Sequence, residues 1–275
     1  MKLSSLVKQT GLGLLLLLGP LPVVRAQQVT PPAPADTLHK YERPAAGPAA
    51  VAKKSFFQSK GFRATAVPVL LIGYGISTIN GHGFYSSYDV KSDINHLFGP
   101  GRHTHVDDFL QFAPYFELGG VLLAGVESHN DRINLALVIL KSEAIMLSSV
   151  FVVKTLTDIQ RPDGSDRRSF PSGHTAQAFL AASIVHTELR DKSQWYGIGA
   201  YTIATSVAVL RMVNDKHWES DVVAGAGFGI LSAHLAYLTQ RYRWGHRPTE
   251  TSSSFHFAPL YYAGATGLAV RWQLR

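Results

Sequence analysis

The chain has 275 residues, no cysteine, 46% hydrophobic residues and only 16% charged ones. The missing cysteines exclude a disulfide scaffold, a zinc ribbon, thiol catalysis and iron–sulfur chemistry. The charged fraction lies well below the ~25% typical of soluble domains, so the composition predicts a packed core over most of the chain. The formal net charge is +7, and the position of the basic residues decides whether a nucleic-acid partner is needed to explain it.

The first 26 residues have the pattern of a secretory signal peptide. Lys2 and Lys8 flank the start of an apolar stretch from Gly11 to Val24, and small residues around Arg25 supply a cleavage position. An apolar core of about 14 residues is short for a membrane span, and an uncleaved N-terminal anchor is the alternative. Cleavage would remove three positive charges and leave an excess of four. Much of the excess positive charge therefore lies in the expected signal peptide. A nucleic-acid partner is not required to explain the net charge.

Residues 27–54 are rich in proline and alanine and poor in large apolar side chains. This composition is typical of an extended tether. We expect the folded domain to occupy residues 55–245 and a C-terminal extension to occupy residues 246–275.

Six segments of the expected domain have the length and composition of buried helices. Each is rich in alanine, leucine and valine without the alternation of a strand. Ser172 and Ser193 precede two of them and are suitable N-caps. The predicted fold class is all-α, a helical bundle of six core helices at Ala64–Thr78, Asp107–Val126, Arg132–Lys154, Thr175–Arg190, Gln194–Val213 and Glu219–Arg241.

The positions of the charges decide how far these helices are expected to enter a membrane. Residues 222–240 and 193–210 are uncharged over about the length that a bilayer needs. However, Lys141 and Glu143 interrupt the third helix, and glutamates interrupt the second. The sequence therefore favours a compact bundle near or partly in a membrane over a fully embedded one.

In the C-terminal residues, apolar side chains recur at every second position. Leu268, Val270, Trp272 and Leu274 alternate with smaller or polar residues, which is the pattern of a half-buried strand. A turn at residues 264–267 would pair this strand with residues 255–262. We expect a short β-hairpin at the end of the chain.

Residues suited to binding an oxyanion concentrate between positions 154 and 221. Arg161 and Arg211 offer planar guanidinium groups to phosphate oxygens, and Lys154 adds a third cation. The helix that begins after Ser172 contributes backbone N–H groups and a favourable dipole, and Gly173 lets the backbone approach an anion closely. These residues predict a pocket for a multiply charged anion.

Two histidines near this pocket divide naturally into a nucleophile and an acid. Asp221 follows His217 by four residues, so on a helix it would lie on the same face and fix the tautomer of the imidazole. The other ring nitrogen is then free to attack, and His174 can protonate a leaving oxygen. We predict no metal and no other cofactor, because three fixed cations supply the charge neutralisation.

These segments resemble a known three-part motif. Lys154-x6-Arg161-Pro162, Pro171-Ser-Gly-His174 and Arg211-x5-His217-x3-Asp221 are similar, in order and internal spacing, to the motif of the type 2 phosphatidic acid phosphatase superfamily. That superfamily also contains bacterial acid phosphatases and vanadium-dependent haloperoxidases. The helical pattern extends the likeness to residues 60–240. One position departs from the motif, because Leu210 stands where the family usually has serine before the arginine. The resemblance implies that this change affects the fine positioning of the site residues more than activity.

The resemblance implies an all-α bundle and a phosphohistidine mechanism. His217 would attack phosphorus, Asp221 would orient His217, and His174 would act first as general acid and then activate water. The residues that would hold the phosphoryl group are Lys154, Arg161, Ser172, Gly173 and Arg211. Together with the signal-peptide pattern, the resemblance predicts an exported phosphoric monoester hydrolase located in the periplasm or cell envelope, and association with the membrane stays open.

Two other functions stay open at this point. A vanadate-dependent haloperoxidase would use the same pocket, although such enzymes are usually larger and the His-x3-Asp spacing suits a phosphatase better. A non-catalytic phosphate-binding protein of the envelope would need the pocket without turnover. The substrate is equally open, because an anion pocket fits lipid phosphates, undecaprenyl diphosphate, lipid A phosphate and soluble phosphomonoesters. The oligomeric state is open as well.

A second cluster has the composition of a metal site. His103, His105, Asp107 and Asp108 lie within six consecutive residues. The two aspartates also suit the first turn of a helix, where carboxylates favour the positive end of the dipole. We therefore expect no metal there.

Overall fold

The structure, a computed structural model, describes residue 57, residues 59–83, 85–246 and 248, and the backbone of strands 254–262 and 265–273. The expected signal peptide and tether lie outside these residues. The described residues form eight α-helices: α1 Lys60–Ser77, α2 Ser87–Phe98, α3 Val106–Leu110, α4 Ala113–Leu123, α5 Arg132–Leu156, α6 Gly173–Leu189, α7 Gln194–Val213 and α8 Glu219–Leu238. The all-α fold class predicted from the sequence is confirmed.

Side chains cap the starts of the long helices. Ser172 and Ser193 are the N-caps of α6 and α7, as predicted, and each hydroxyl accepts a backbone N–H of the first turn. The carboxylate of Asp131 accepts the N–H groups of Ile133 and Asn134 and starts α5. These caps fix where each helix begins, and so where the residues just before α6 lie.

Helix α6 occupies the centre of the bundle. It packs against α7 and α8, and it also contacts α4 and α5, while α1 packs along the far side of α8. Ala176, Ala178, Leu180 and Ile184 of α6 are completely buried. A Cβ at Gly229 of α8 would lie 2.2 Å from the carbonyl oxygen of Ala176, so glycine lets the two helices approach this closely. Small residues therefore allow α6 and α8 to pack closely.

This arrangement brings four helix ends together. Lys154 at the end of α5 donates to the carbonyl oxygen of Ser169, just before α6. The N–H of Ser172 donates to the carbonyl oxygen of Asp221 at 2.9 Å, which joins the starts of α6 and α8. The end of α7 reaches the start of α8, where the N–H of His217 donates to the carbonyl oxygen of Arg211. The motif segments thus meet at one end of the bundle.

Two helix predictions need correction. The single helix predicted over Asp107–Val126 is broken into α3 and α4, and Pro114, which lacks an N–H, stands in the first turn of α4. Helix α2 was not predicted, because its composition is polar. Its start nevertheless carries a capping box, in which Ser86 and Asp89 bond reciprocally to each other's backbone N–H.

A β-hairpin follows the helices. Strand β1, Ser254–Tyr262, pairs antiparallel with strand β2, Ala265–Gln273. The hairpin was predicted, but its turn was placed too late. Tyr262 pairs with Ala265, so residues 265–267 belong to β2.

Among the described residues, three helices are long and apolar enough to cross a membrane by length and composition: α5, α7 and α8. Helix α5 buries one stripe and leaves a broad apolar face uncovered, on which Leu140 is 68% and Phe151 is 65% exposed. Apolar side chains exposed over such a length are typical of a surface that contacts lipid. In this respect α5 differs from α6, whose side chains are almost all buried.

The two charges that weighed against α5 as a span are both bonded within the protein. Oε1 of Glu143 accepts hydrogen bonds from the Tyr115 hydroxyl and the Gln177 amide, each at 2.6 Å. The ammonium group of Lys141 donates to the carbonyl oxygen of Thr239 at 3.2 Å and to the Gln240 side chain at 3.0 Å. Ionisable groups in membrane helices usually face partners in this way. These charges therefore do not exclude a spanning helix.

Candidate active site

His217 and Asp221 form a buried pair at the start of α8. Nδ1 of His217 lies 3.2 Å from Oδ2 of Asp221, and both side chains are buried. The same oxygen accepts the N–H of Trp218 at 2.9 Å and the hydroxyl of Ser169. The sequence placed the pair on one helical face, but α8 begins at Glu219, after the histidine. Asp221 instead reaches back over the first turn of α8 to meet the ring.

The surroundings of His217 favour its neutral form. Burial lowers the pKa of His217 to about 4, and the positive charges of Lys154 and Arg211 act in the same direction. The hydrogen bond to Asp221 opposes this shift without cancelling it. A neutral imidazole whose Nδ1 proton is held by a carboxylate presents a free lone pair on Nε2. That is the form of histidine that can act as a nucleophile.

The start of α6 is fixed close to this pair. Ser172 is buried, and its hydroxyl accepts the Thr175 hydroxyl at 3.0 Å. A Cβ at Gly225 of α8 would lie 2.6 Å from the carbonyl oxygen of Ser172, so α8 passes directly behind this turn. At Gly173, by contrast, no described atom lies within 4 Å of an added Cβ. The open space at Gly173 leaves its backbone accessible to a ligand.

Lys154 and Arg161 come from the end of α5 and from the segment that joins it to α6. The ammonium group of Lys154 donates to the carbonyl oxygens of Arg168 at 2.8 Å and Ser169 at 3.2 Å. Nε of Arg161 forms an ion pair with Asp166 at 2.8 Å. Both cations thus have partners within the connecting segment.

Arg211 and His174 each face a carboxylate of the short helix α3. Nη1 of Arg211 lies 2.7 Å from Oδ2 of Asp107, and both side chains are buried. Nε2 of His174 lies 3.0 Å from Oδ1 of Asp108. Asn214 also donates to Asp107 at 2.8 Å. The sequence did not predict these contacts, because the aspartates lie more than sixty residues from their partners and outside the motif.

A cleft of about 620 Å³ opens in front of these groups. It contains three of the predicted residues, Arg161, His174 and Arg211, whereas the other five do not line it. All eleven lining residues are polar or charged: His103, Thr104, His105, Asp108, Arg161, Ser165, Asp166, His174, Arg211, Asn214 and Lys216. A charged or hydroxyl-bearing group is the ligand that such a cleft suits.

The carboxylates of α3 also bear on the metal hypothesis. Ligand atoms of Asp107, Asp108 and His174 lie within 4.8 Å of one another, so the distance alone permits an ion. Asp107 is already paired with Arg211, and Asp108 with His174 and with His105, whose Nδ1 lies 3.2 Å away. The two carboxylates therefore already have partners in Arg211 and the two histidines. Asp107 and Asp108 do lie in the first turn of a helix.

The family comparison matches the part of the chain that carries this geometry. The model of the PAP2 superfamily matches residues 135–245, which contain all eight predicted site residues. This match covers 111 of the 275 residues. The resemblance inferred from the three motifs, to the type 2 phosphatidic acid phosphatase superfamily, is thereby confirmed.

The chain is also similar to individual proteins. A stretch of 77 residues, 28% of the chain, is 48% identical to the lipid A 1-phosphatase of Porphyromonas gingivalis, and it spans 17% of that protein's length. Among solved structures, LpxE of Aquifex aeolicus is matched at a TM-score of 0.40 and 22% identity, over 55% of this chain and 94% of LpxE. A PAP2-type phosphatidylglycerolphosphate phosphatase from Bacillus subtilis is matched at a TM-score of 0.39 and 20% identity, over 64% of this chain and 99% of that one.

Proposed function

We propose that the protein hydrolyses phosphomonoesters and that His217 is the nucleophile. The observation that carries the proposal is the buried His217–Asp221 pair, in which the carboxylate takes one ring nitrogen and leaves the other free. Nε2 of His217 attacks phosphorus, and the bond from phosphorus to the ester oxygen breaks. A phosphohistidine and an alcohol result.

His174 supplies and then recovers the proton. In the first step it donates a proton to the departing ester oxygen, which leaves as the neutral alcohol. In the second step the neutral imidazole takes a proton from water, and the hydroxide formed attacks the phosphohistidine. Inorganic phosphate is released, and both histidines return to their starting forms.

Lys154, Arg161 and Arg211 supply the positive charge for the phosphoryl oxygens. Their present partners are carbonyl oxygens, Asp166 and Asp107, respectively. A phosphate group entering between them can form stronger, charge-assisted hydrogen bonds with the guanidinium forks. The N–H groups at Gly173 and the dipole of α6 add to this stabilisation, together with Ser172. Fixed charges of this kind are worth most where negative charge develops in the transition state.

We further propose that the substrate is a lipid phosphate and that the protein is exported and membrane-associated. The relative from P. gingivalis is named for a lipid phosphate. Three apolar helices and the exposed apolar face of α5 support contact with a bilayer. A phosphate headgroup at the membrane surface would then meet the end of the bundle where the motif segments join. Export follows from the signal-peptide pattern in residues 1–26.

A phosphate-release assay tests the catalytic proposal. The full-length protein in detergent is given p-nitrophenyl phosphate, phosphatidic acid, a lipid A preparation and soluble sugar phosphates, and the His217→Ala variant is run beside it. His129 offers a matched control, because its Nδ1 also pairs with a carboxylate, that of Asp191 at 3.3 Å. Release by the wild type and His129→Ala, and its loss in His217→Ala, is the expected result. Equal release by the His217 variant would overturn the assignment.

Localisation has its own test. We expect N-terminal sequencing of the protein from cell envelopes to begin after Ala26, and we expect the protein to stay with the membrane after an alkaline carbonate wash. An intact N-terminus would contradict the cleaved signal peptide. Release by carbonate would contradict the membrane-associated fold.

A further inference from the structure

The contact between His174 and Asp108 has no role in the mechanism described above. Asp108 belongs to α3, which precedes the PAP2-matched residues, and its Oδ1 lies 3.0 Å from Nε2 of His174. Both side chains line the cleft in which a leaving group would lie. The carboxylate is therefore in direct contact with a ring nitrogen of His174 at the cleft.

Without Asp108, His174 would be a poor proton donor. Burial lowers the pKa of His174, and the neighbouring charge of Arg211 lowers it further. The hydrogen bond and charge of Asp108 oppose this lowering, with a smaller contribution from Asp107, and the pKa of His174 still lies below its usual value. Nη1 of Arg211 lies 3.7 Å from Oδ1 of Asp108, so one carboxylate faces both cations.

The other charged groups around the cleft come from three further parts of the chain. The segment before α3 contributes His103 and His105, the α5–α6 connection contributes Arg161 and Asp166, and the residues after α7 contribute Lys216. His105 also contacts Asp108, and Arg161 is paired with Asp166. Among the described residues, Asp108 is the carboxylate that bonds His174 directly. The negative charge next to the His174 ring therefore comes mainly from Asp108.

We propose that Asp108 is a positioning residue, whose carboxylate accepts a hydrogen bond from Nε2 of protonated His174 and so favours the form of the ring that can donate a proton. The inference rests on the proposed function. Before substrate binds, the Nε2 proton of His174 is shared with Asp108. When the ester oxygen enters the cleft, that proton passes to it as the bond to phosphorus breaks, while Asp108 keeps its negative charge. Asp108 thus matters most for esters whose alcohol is a poor leaving group.

Leaving-group dependence separates this role from a structural one. Asp108→Asn keeps the shape of the side chain and removes its charge. We expect kcat for an alkyl phosphate to fall about tenfold or more, because positioned acids contribute 10²–10⁴-fold. With p-nitrophenyl phosphate, whose leaving group needs little protonation, we expect less than about a twofold change. The alkaline limb of the alkyl phosphate profile should move to lower pH, since His174 then loses its proton earlier.

Two further variants complete the experiment. Asp108→Glu restores the charge and should recover part of the lost rate. If Asp108→Asn folds poorly, Asp108→Glu can still be compared with the wild type. Asp191→Asn removes the carboxylate of the His129 pair beyond the C-terminal end of α6, whereas the cleft lies at its N-terminal end, and this change should have no effect. In a His174→Asn background, Asp108→Asn should cause no additional loss, because both changes then remove the same proton transfer.

Three outcomes would overturn the proposal. Equal losses on both substrates without a pH shift would indicate a structural role. A lower KM with unchanged kcat would show that Asp108 only occupies the anion pocket. Additive losses in the His174→Asn background would show that Asp108 acts independently of His174. In each case the dependence on His217 would persist, so failure of this inference is distinct from failure of the proposed function.

Discussion

Oδ2 of Asp221 lies 3.2 Å from Nδ1 of His217, and the same oxygen also accepts the Trp218 amide and the Ser169 hydroxyl. Three donors therefore fix a single carboxylate oxygen. Because the carboxylate cannot rotate freely, the imidazole is held in one orientation and one tautomer. The histidine is thus positioned before any substrate arrives.

Replacing Asp221 by Asn should abolish most of the activity without unfolding the bundle. The amide can offer an N–H to Nδ1 and so favour the wrong tautomer, for which a loss of about 10³–10⁴-fold in kcat is expected. KM should change little, because Asp221 does not face the cleft. Steady-state kinetics measure both constants, and circular dichroism checks the helices. A loss confined to KM would place Asp221 in substrate binding instead.

The pH dependence of kcat/KM should show the lowered pKa of His217. His217 must be unprotonated to attack, and its pKa is lowered to about 4. Activity that depends on this group is therefore present above about pH 4 and is lost as the pH falls through that value, well below the ~6.5 of an ordinary histidine. We expect the acid limb of kcat/KM to lie near pH 4. In Asp221→Asn the residual activity should show this limb at still lower pH, because Asp221 raises the pKa. A limb that stays near 6.5 in both proteins would contradict this assignment.

The buried ion pair of Asp107 should matter more for stability than an exposed one. Asp107→Ala leaves the buried guanidinium of Arg211 without its closest anion, and removing one partner of such a pair costs about 3–5 kcal/mol. Asp158→Ala breaks the exposed pair with Arg167, for which little change is expected. Thermal unfolding in detergent compares the two variants. Similar Tm values for both would show that the Arg211 pair does not stabilise the fold.

Gly225 tests how closely the site depends on the contact between α6 and α8. A Cβ there would lie 2.6 Å from the carbonyl oxygen of Ser172, so Gly225→Ala must displace the start of α6 or α8. We expect a loss of about 1–3 kcal/mol of stability, as for other overpacked sites, together with a lower kcat. Gly120→Ala is the control, because no described atom lies within 4 Å of its added Cβ. Unchanged kinetics in Gly225→Ala would indicate that the site tolerates movement of α6.

Helices α5 and α7 were the easiest to predict. For α7 the predicted and observed bounds agree at Gln194 and Val213, and α5 extends only two residues beyond the prediction. Both helices have an apolar composition and a side-chain N-cap, which are local properties of the sequence. Helix α2 escaped prediction because it is polar and its capping box was the only local indication.

The site was predictable where its residues are close in sequence. His217 and Asp221 lie four positions apart, and the pair appears in the structure. The contacts of Asp107 and Asp108 were not predictable, since they join residues 104 and 66 positions apart. Such pairs depend on how α3 packs against α6 and α7, and a spacing rule does not encode that packing.

Trapping the phosphorylated enzyme tests the central claim most directly. The full-length protein is mixed with a ³²P-labelled phosphomonoester, quenched in alkali within the first turnover and digested, and the labelled peptide is identified. We predict that the label lies on the peptide containing His217 and is absent from His217→Ala. Label on a different residue, or wild-type turnover by His217→Ala, would contradict the mechanism.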